Sequence, residues 1–186
     1  MRFFDILFSM VGLILLSPIL ILLLIIGYYD TGSPIFKQER VGRFKKPFYL
    51  LKFRSMYLDT KSVGTHEVNV ASITKWGRFL RRSKLDELPQ LWNVLVGDMS
   101  LVGPRPNLYN QEELINERDK RRVYSVRPGI TGLAQIQKID MSNPKLLAET
   151  DKKMLASLEL INYFKLVLKT ATGNGFGDRV KGNCKI

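Results

Sequence analysis

Residues 6–29 carry no charged side chain, and residues 19–26 are all Leu or Ile. As one helix the run would be roughly 36 Å long at 1.5 Å per residue, enough to cross a hydrocarbon core. Ser17-Pro18 falls near its midpoint. Proline removes a backbone donor and clashes with the preceding turn, so the helix must kink there, and the serine hydroxyl can satisfy the freed carbonyl within lipid. Each half, about 11–12 residues, is too short to span alone. Two topologies stay open on this pattern. A straight span leaves the amino terminus, Arg2 and Asp5 on the far side, whereas a bent hairpin enters and leaves by one face; the positive-inside rule permits both, and both put the basic remainder in the cytoplasm. A cleaved signal sequence fits poorly, because the apolar run is too long and no Ala-x-Ala-like site follows it.

Beyond the turn Asp30-Thr31-Gly32-Ser33-Pro34, short apolar runs flank a turn-like stretch. Ile35-Phe36 and Phe48-Tyr49-Leu50-Leu51 around Val41-Gly42-Arg43-Phe44-Lys45-Lys46-Pro47 predict a β-hairpin. Trp76, Phe79 and Leu80 recur at i, i+3, i+4, one apolar stripe of a helix. Residues 90–96 are apolar and stop at Gly97, a natural helix end. Residues 111–126 are mixed in charge and predict a helix with a mostly solvated face. Ser142-Asn143-Pro144 opens a helix whose apolar positions, Leu147, Met154, Leu155, Leu158, Ile161 and Leu168, run on towards Lys169. That segment suits either a bilayer surface or a soluble core. The glycine-rich stretch from Gly173 lacks the strand–helix context of a dinucleotide fingerprint.

Composition narrows the chemistry. The 186 residues include 29 Lys+Arg against 17 Asp+Glu, a formal charge of +12, and this length suits one modest domain. A single cysteine, Cys184, excludes an intrachain disulfide framework and a Cys-rich zinc site; a single histidine, His66, excludes multi-histidine metal clusters. Cys184 reads as inert and His66 as a loop residue. Catalysis would therefore run on carboxylates, cations and backbone. Seven basic residues and one acid lie between positions 37 and 54, and Lys75, Arg78, Arg81, Arg82 and Lys84 form a second cluster. Such charge can serve nucleic acid, but no RNP-like or helix-turn-helix pattern accompanies it. Adhesion to anionic lipid accounts for the number of charges, at about 1 kcal/mol per cation. It does not require an acidic pair among them.

That pair is Asp86-Glu87, within Ser83-Lys84-Leu85-Asp86-Glu87-Leu88-Pro89-Gln90. Either Ser83 caps a helix with Asp86 reaching back to it, or Pro89 opens the next helix; both put the acids within about a turn of a helix start. Arg81 and Arg82 lie just upstream. Arg105 is bracketed by Pro104 and Pro106, and Arg127 stands on a Pro-Gly turn. Arginines on stiff backbone near carboxylates suit phosphate, whose oxygens the guanidinium fork binds in pairs.

With these motifs in view, the chain resembles the bacterial sugar transferase family of small monotopic phosphoglycosyl transferases. The resemblance rests on Ser17-Pro18, Lys52-Phe53-Arg54-Ser55-Met56, Leu85-Asp86-Glu87-Leu88-Pro89-Gln90-Leu91, Gly97-Asp98-Met99-Ser100-Leu101-Val102-Gly103-Pro104-Arg105-Pro106 and Arg127-Pro128-Gly129-Ile130-Thr131-Gly132-Leu133-Ala134-Gln135. Five motifs in order, from the apolar segment to about Asp151, are specific together although each is weak alone. The resemblance implies an α+β, mainly helical fold: a re-entrant membrane helix broken at Ser17 and Pro18 (residues 1–30), a compact cytoplasmic catalytic domain with interfacial amphipathic helices and a small β-hairpin (31–170), and a glycine-rich tail (171–186). It implies the bacterial inner membrane, with the catalytic domain on the cytoplasmic face.

The implied reaction moves a sugar-1-phosphate from a UDP-sugar to undecaprenyl phosphate with Mg²⁺ and releases UMP, with Asp86 as nucleophile. Membrane lipids are further partners and nucleic acid is not. Glu87 is then expected to bind metal or position substrate, with Asp98 and Asp151 in the same metal shell as Asp86 and Glu87. Lys52, Arg54, Arg81, Arg105 and Arg127 are the expected phosphate-binding cations. The competing reading is a non-catalytic membrane protein that binds nucleotide-sugar or anionic lipid. One departure limits the analogy. Many relatives continue Ala-Gln with Val-Asn-Gly-Arg, whereas Gln135 here precedes Ile136-Gln137-Lys138-Ile139, and an aromatic-rich stretch near Asp151 is replaced by Glu149-Thr150-Asp151-Lys152-Lys153-Met154-Leu155. The sugar is therefore not transferable from the bacillosamine-type members.

Overall fold

In the computed structural model, which describes residues 1–60 and 72–172, the apolar run forms two helices, α1 (Arg2–Leu15) and α2 (Ser17–Thr31), bent by 64° at the break. Pro18, which has no N–H, leaves the Ile14 carbonyl without its helical donor, and Ser17 Oγ donates to that oxygen at 2.8 Å. Among the described residues no single helix is long and apolar enough to cross a membrane; the bent pair passes that test only jointly. Large apolar side chains along both halves, such as Ile14, Leu15, Ile21, Leu22 and Ile25, are exposed.

The predicted hairpin is present: β1 (Ile35–Val41) pairs antiparallel with β2 (Pro47–Phe53). The tip bends through Phe44 and Lys45, both with positive φ. Asn93 closes the free edge of β2 as a strand would, accepting from Leu51 N at 3.0 Å and donating to the Tyr49 carbonyl at 2.8 Å. It belongs to α4 (Gln90–Val96), which ends on Gly97 in the left-handed region, φ 104°. α3 (Lys75–Ser83) carries the Trp76/Phe79/Leu80 stripe and buries Leu80 against Phe53 and Leu23.

From sequence, the Gly97–Pro106 motif reads as backbone stiffened by prolines around Arg105, and Arg127–Gly132 as an arginine on a Pro-Gly turn. The structure adds that they contain two three-residue strands, β3 (Ser100–Val102) and β4 (Gly129–Thr131), paired in parallel. The approach is close enough to require glycine: a Cβ on Gly129 would lie 2.0 Å from Gly103 N, and one on Gly103 would lie 2.5 Å from the Arg127 carbonyl oxygen. Gly129→Ala is therefore expected to destabilise the fold by about 1–3 kcal/mol, because backbone atoms and not a flexible side chain must move; thermal unfolding in detergent measures it.

Most of residues 111–126 is exposed or half-exposed as expected, but α5 (Glu112–Lys120) also buries Leu114 and Arg118 and is followed by a 3₁₀ turn, Val123–Ser125. One further expectation needs correction. After α6 (Leu133–Ile136), the run towards Lys169 is not one helix but α7 (Pro144–Ala156) and α8 (Leu160–Ala171). As predicted, Asn143 caps α7, accepting from Leu146 N, with Pro144 in its first turn. Met154 and Tyr163 from these helices are buried with Val102 and are packed by Phe4 of α1, so this segment completes the core. Among the described residues the fold is thus mostly helical, with two two-stranded sheets. His66 and Cys184 lie outside the described residues.

Candidate active site

α3 stops where Lys84 enters the left-handed region (φ 59°), and the chain turns into a 3₁₀ segment, Leu85–Glu87, before α4. The Ser83 cap does not form; Ser83 Oγ donates back to the Phe79 carbonyl of its own helix at 2.8 Å. Pro89 instead stands at the start of α4, the alternative reading. Leu85 and Leu88 pack against the cluster of Leu23, Phe53 and Leu80, which fixes the turn between β2, α3 and α2 of the apolar pair. Asp86 is thereby buried, with 3% of its surface exposed.

Glu87 meets cations from two other elements. Lys52, on the buried face of β2, places Nζ 3.6 Å from Glu87 Oε1, and Arg105 Nη2 is 3.2 Å from the same oxygen. The Glu87 side chain is only 12% exposed, so these charges meet with little water around them. Arg105 is held through its backbone. Gly129 N donates to the Pro104 carbonyl (2.9 Å), Arg118 Nη1 to the Arg105 carbonyl (2.8 Å), Arg40 Nη1 to the Pro106 carbonyl (3.1 Å), and Val41 N to the Asn107 carbonyl (3.0 Å). Four consecutive carbonyls of the Pro-Arg-Pro loop are thus taken by β4, α5 and β1, and the guanidinium projects from an immobilised backbone.

Arg54, Arg127 and Arg81 each also bond to groups outside the acidic pair. Arg54 donates Nε to the Ser33 carbonyl at 2.8 Å and lies over the Phe36 ring at 5.4 Å; burial pushes its guanidinium below the usual arginine value. It fastens the link between α2 and β1. Arg127 donates to the Gly97 carbonyl at 2.7 Å, joining the β4 turn to the end of α4. Arg81 Nε donates to Ser55 Oγ at 2.8 Å, just past the end of β2.

The four-carboxylate metal shell does not assemble. Among the described residues no three His, Cys, Asp or Glu side chains come together as a metal site. Asp151, 1% exposed, accepts both Arg118 Nε (3.0 Å) and Nη2 (2.7 Å), a buried fork that explains why the acid is there. Burial pushes its carboxyl up, and Arg118 opposes that shift. Asp98 stands at the end of α4, 3.4 Å from Asn93 Nδ2. Asp86 and Glu87 remain. Two hard oxygen donors suit a Mg²⁺ that takes its other ligands from substrate phosphates and water, the usual arrangement for that ion, and do not suit an all-protein cage.

Three participants escape a reading of the sequence alone. Arg118 looks there like one charge in a mixed-sign helix. Arg2 and Asp5 look like mere flanks of the apolar run, yet both are bonded into the domain. Asp5 is buried, and Arg2 donates to the Val94 and Leu95 carbonyls at 2.6 and 3.0 Å. An acid one position before an uninterrupted apolar run was the available signal.

Buried Asp86 and half-buried Glu87 thus stand with Lys52 and Arg105 beside a helix pair whose large apolar side chains are exposed. The chain belongs to the bacterial sugar transferase family, whose profile matches residues 1–174. It is 45% identical over 136 residues to the uncharacterized sugar transferase EpsL of Bacillus subtilis, covering 73% of this chain and 67% of that protein. It is 43% identical over 141 residues to a UDP-glucose:undecaprenyl-phosphate glucose-1-phosphate transferase of Klebsiella pneumoniae, covering 73% of this chain but 30% of that protein. A protein of the same description from Caulobacter vibrioides is 34% identical over 181 residues, 91% of this chain and 67% of its own length. The chain therefore spans about two thirds of some curated relatives and about a third of others.

Proposed function

We propose that this protein transfers a sugar-1-phosphate from a UDP-sugar to undecaprenyl phosphate, releasing UMP, as the first membrane step of bacterial glycan assembly. The observation that carries the reading is the Asp86-Glu87 doublet, with Asp86 buried and Glu87 set against Lys52 and Arg105. Adhesion to lipid needs no acid within the basic surface.

The reaction brings anions together, so repulsion is the main barrier. An Asp86 oxygen attacks the sugar-bearing β-phosphorus; the bond from that phosphorus to the bridging oxygen breaks, and UMP leaves with the electron pair. The aspartyl phosphosugar then meets undecaprenyl phosphate, whose oxygen attacks the same phosphorus and returns Asp86 as a carboxylate. Splitting the transfer lets one pocket serve two bulky substrates in turn. The acceptor phosphate is ionised near neutral pH, so neither half needs a general base. Arg105 and Lys52 offset charge on the phosphoryl oxygens from fixed positions, and Glu87 holds both cations in place between turnovers. Mg²⁺, held by Asp86 and Glu87 with the diphosphate, would neutralise the oxygens on which charge develops.

The membrane segment is read as re-entrant. Both of its acids are tied to the same body: Asp5 bonds to β3 and α8, and Asp30 Oδ2 accepts from Thr74, the N-cap of α3, at 2.7 Å. A straight span would put Arg2 and Asp5 a bilayer away from these partners. The site then sits at the inner face of a bacterial cytoplasmic membrane. Incubating the purified protein with UDP-glucose or UDP-galactose and Mg²⁺, without acceptor, is expected to release up to one UMP per chain and add one phosphosugar mass to the peptide holding Asp86. Binding of donor with neither UMP nor adduct would favour the non-catalytic reading.

A further inference from the structure

Asp5 is a carboxylate near the start of an otherwise apolar helix, and it is only 3% exposed. A charge so placed is costly unless its hydrogen bonds are supplied. Here they are supplied by neutral donors from two distant elements. Ser100 Oγ lies 3.0 Å from each carboxylate oxygen, Leu101 N donates at 2.9 Å, and Tyr163 Oη donates at 2.8 Å. Burial, and then the bond to Asp5, push the Tyr163 phenol far above its usual value, so it stays a donor. Ser100 N turns to the Pro128 carbonyl across the sheet, whereas Leu101 N is taken by Asp5, which therefore occupies the free edge of β3.

One turn earlier, the Arg2 guanidinium caps the last carbonyls of α4, where Gly97 leaves room for it: a Cβ there would lie 3.3 Å from Nη2. Phe4 and Phe8 pack edge-on against Phe164 of α8, and a Cβ on Gly12 would touch Leu91 of α4. α1 is thus gripped along its length by polar and apolar contacts.

The grip does not build the phosphate site. The Arg105 loop is held by β4, α5 and β1, and Glu87 by Lys52 and Arg105; none of these contacts passes through α1. We propose that Asp5, seconded by Arg2, is a positioning residue for the lipid-dependent half of the reaction: it clamps α1 onto β3 and α4 so that an acceptor carried in the bilayer reaches a donor site whose acidic turn packs on α2, through Leu23, and not on α1. This rests on the two-step reading above.

The test uses the full chain, in nanodiscs for the two half-reactions and in intact cells for labelling, with Cys184→Ser and Phe3→Cys providing a single thiol near the N-terminus. Asp5→Ala is expected to release UMP and form the adduct within about twofold of the parent, while transfer to undecaprenyl phosphate falls about tenfold or more, a loss of about 1.4 kcal/mol. The thiol introduced by Phe3→Cys is expected to gain labelling by a membrane-impermeant maleimide applied from the periplasmic side. Asp5→Asn, which can still accept from Ser100 and Leu101, should recover much of the transfer. Ser100→Ala with Tyr163→Phe removes two donors and should move the same step in the same direction, which keeps the test open if Asp5→Ala folds poorly. Equal loss in both halves, or parental transfer and labelling in Asp5→Ala, overturns the proposal. If the parent forms no adduct the two-step reaction falls instead, and unchanged labelling in Asp5→Ala would then still overturn the clamp.

Discussion

Asp86→Asn is expected to abolish turnover, by about 10⁴-fold or more, and to form no phosphosugar adduct. The substitution keeps the size of a 3% exposed side chain in a turn fixed by Leu85 and Leu88, so the fold should survive and the loss should be chemical. A carboxamide oxygen carries no negative charge and is a poor nucleophile towards phosphorus. Glu87→Gln separates the two acids. It leaves the nucleophile but removes the anion to which Lys52 and Arg105 converge, so activity should fall by about 10²- to 10³-fold through loss of electrostatic positioning, with the adduct still detectable. Initial rates of UMP release and intact-protein mass spectrometry read both outcomes. Parental turnover in Asp86→Asn would show that the nucleophile is elsewhere; an adduct lost equally in both variants would show that the doublet acts as one unit.

How much of this was legible in the sequence depended on how local each cause is. The break at Ser17-Pro18 was readable down to the atom, because the freed carbonyl of Ile14 and the hydroxyl that satisfies it are three residues apart. The hairpin, α3 and the end of α4 at Gly97 were readable for the same reason. The parallel pairing of β3 with β4 was not. Each strand has three residues, too few to show alternation, and the partners lie 29 positions apart. Gly129 invites a reading as part of a Pro-Gly turn, whereas its use is close backbone packing, since a Cβ on it would lie 2.0 Å from Gly103 N. Among the cations, sequence could pick those on stiff backbone but not their partners. Arg105 reaches a carboxylate, while Arg54 and Arg127 reach carbonyls, and only the tertiary fold decides which.

Arg118→Met should destabilise the protein by about 3–5 kcal/mol, because it leaves the Asp151 carboxylate buried without its counter-ion. Adding Asp151→Leu removes the stranded charge, and much of the stability should return, since apolar replacement of a buried ion pair is often neutral. Activity should not return with it. Arg118 has a second duty that Met cannot perform: Nη1 donates to the Arg105 carbonyl at 2.8 Å and to Asn107 Oδ1 at 2.9 Å, an oxygen that also accepts from Tyr124. Without that donor the Pro-Arg-Pro loop loses the clamp nearest its guanidinium, and a loosened Arg105 can no longer hold Glu87 in one geometry. The double variant should therefore unfold near the parental temperature and yet turn over about 10- to 100-fold more slowly, with the loss in kcat larger than any change in KM. Recovery of both stability and kcat would mean that Arg118 serves only to neutralise Asp151. Recovery of stability alone shows that the buried arginine orders the loop on which the Arg105 guanidinium stands.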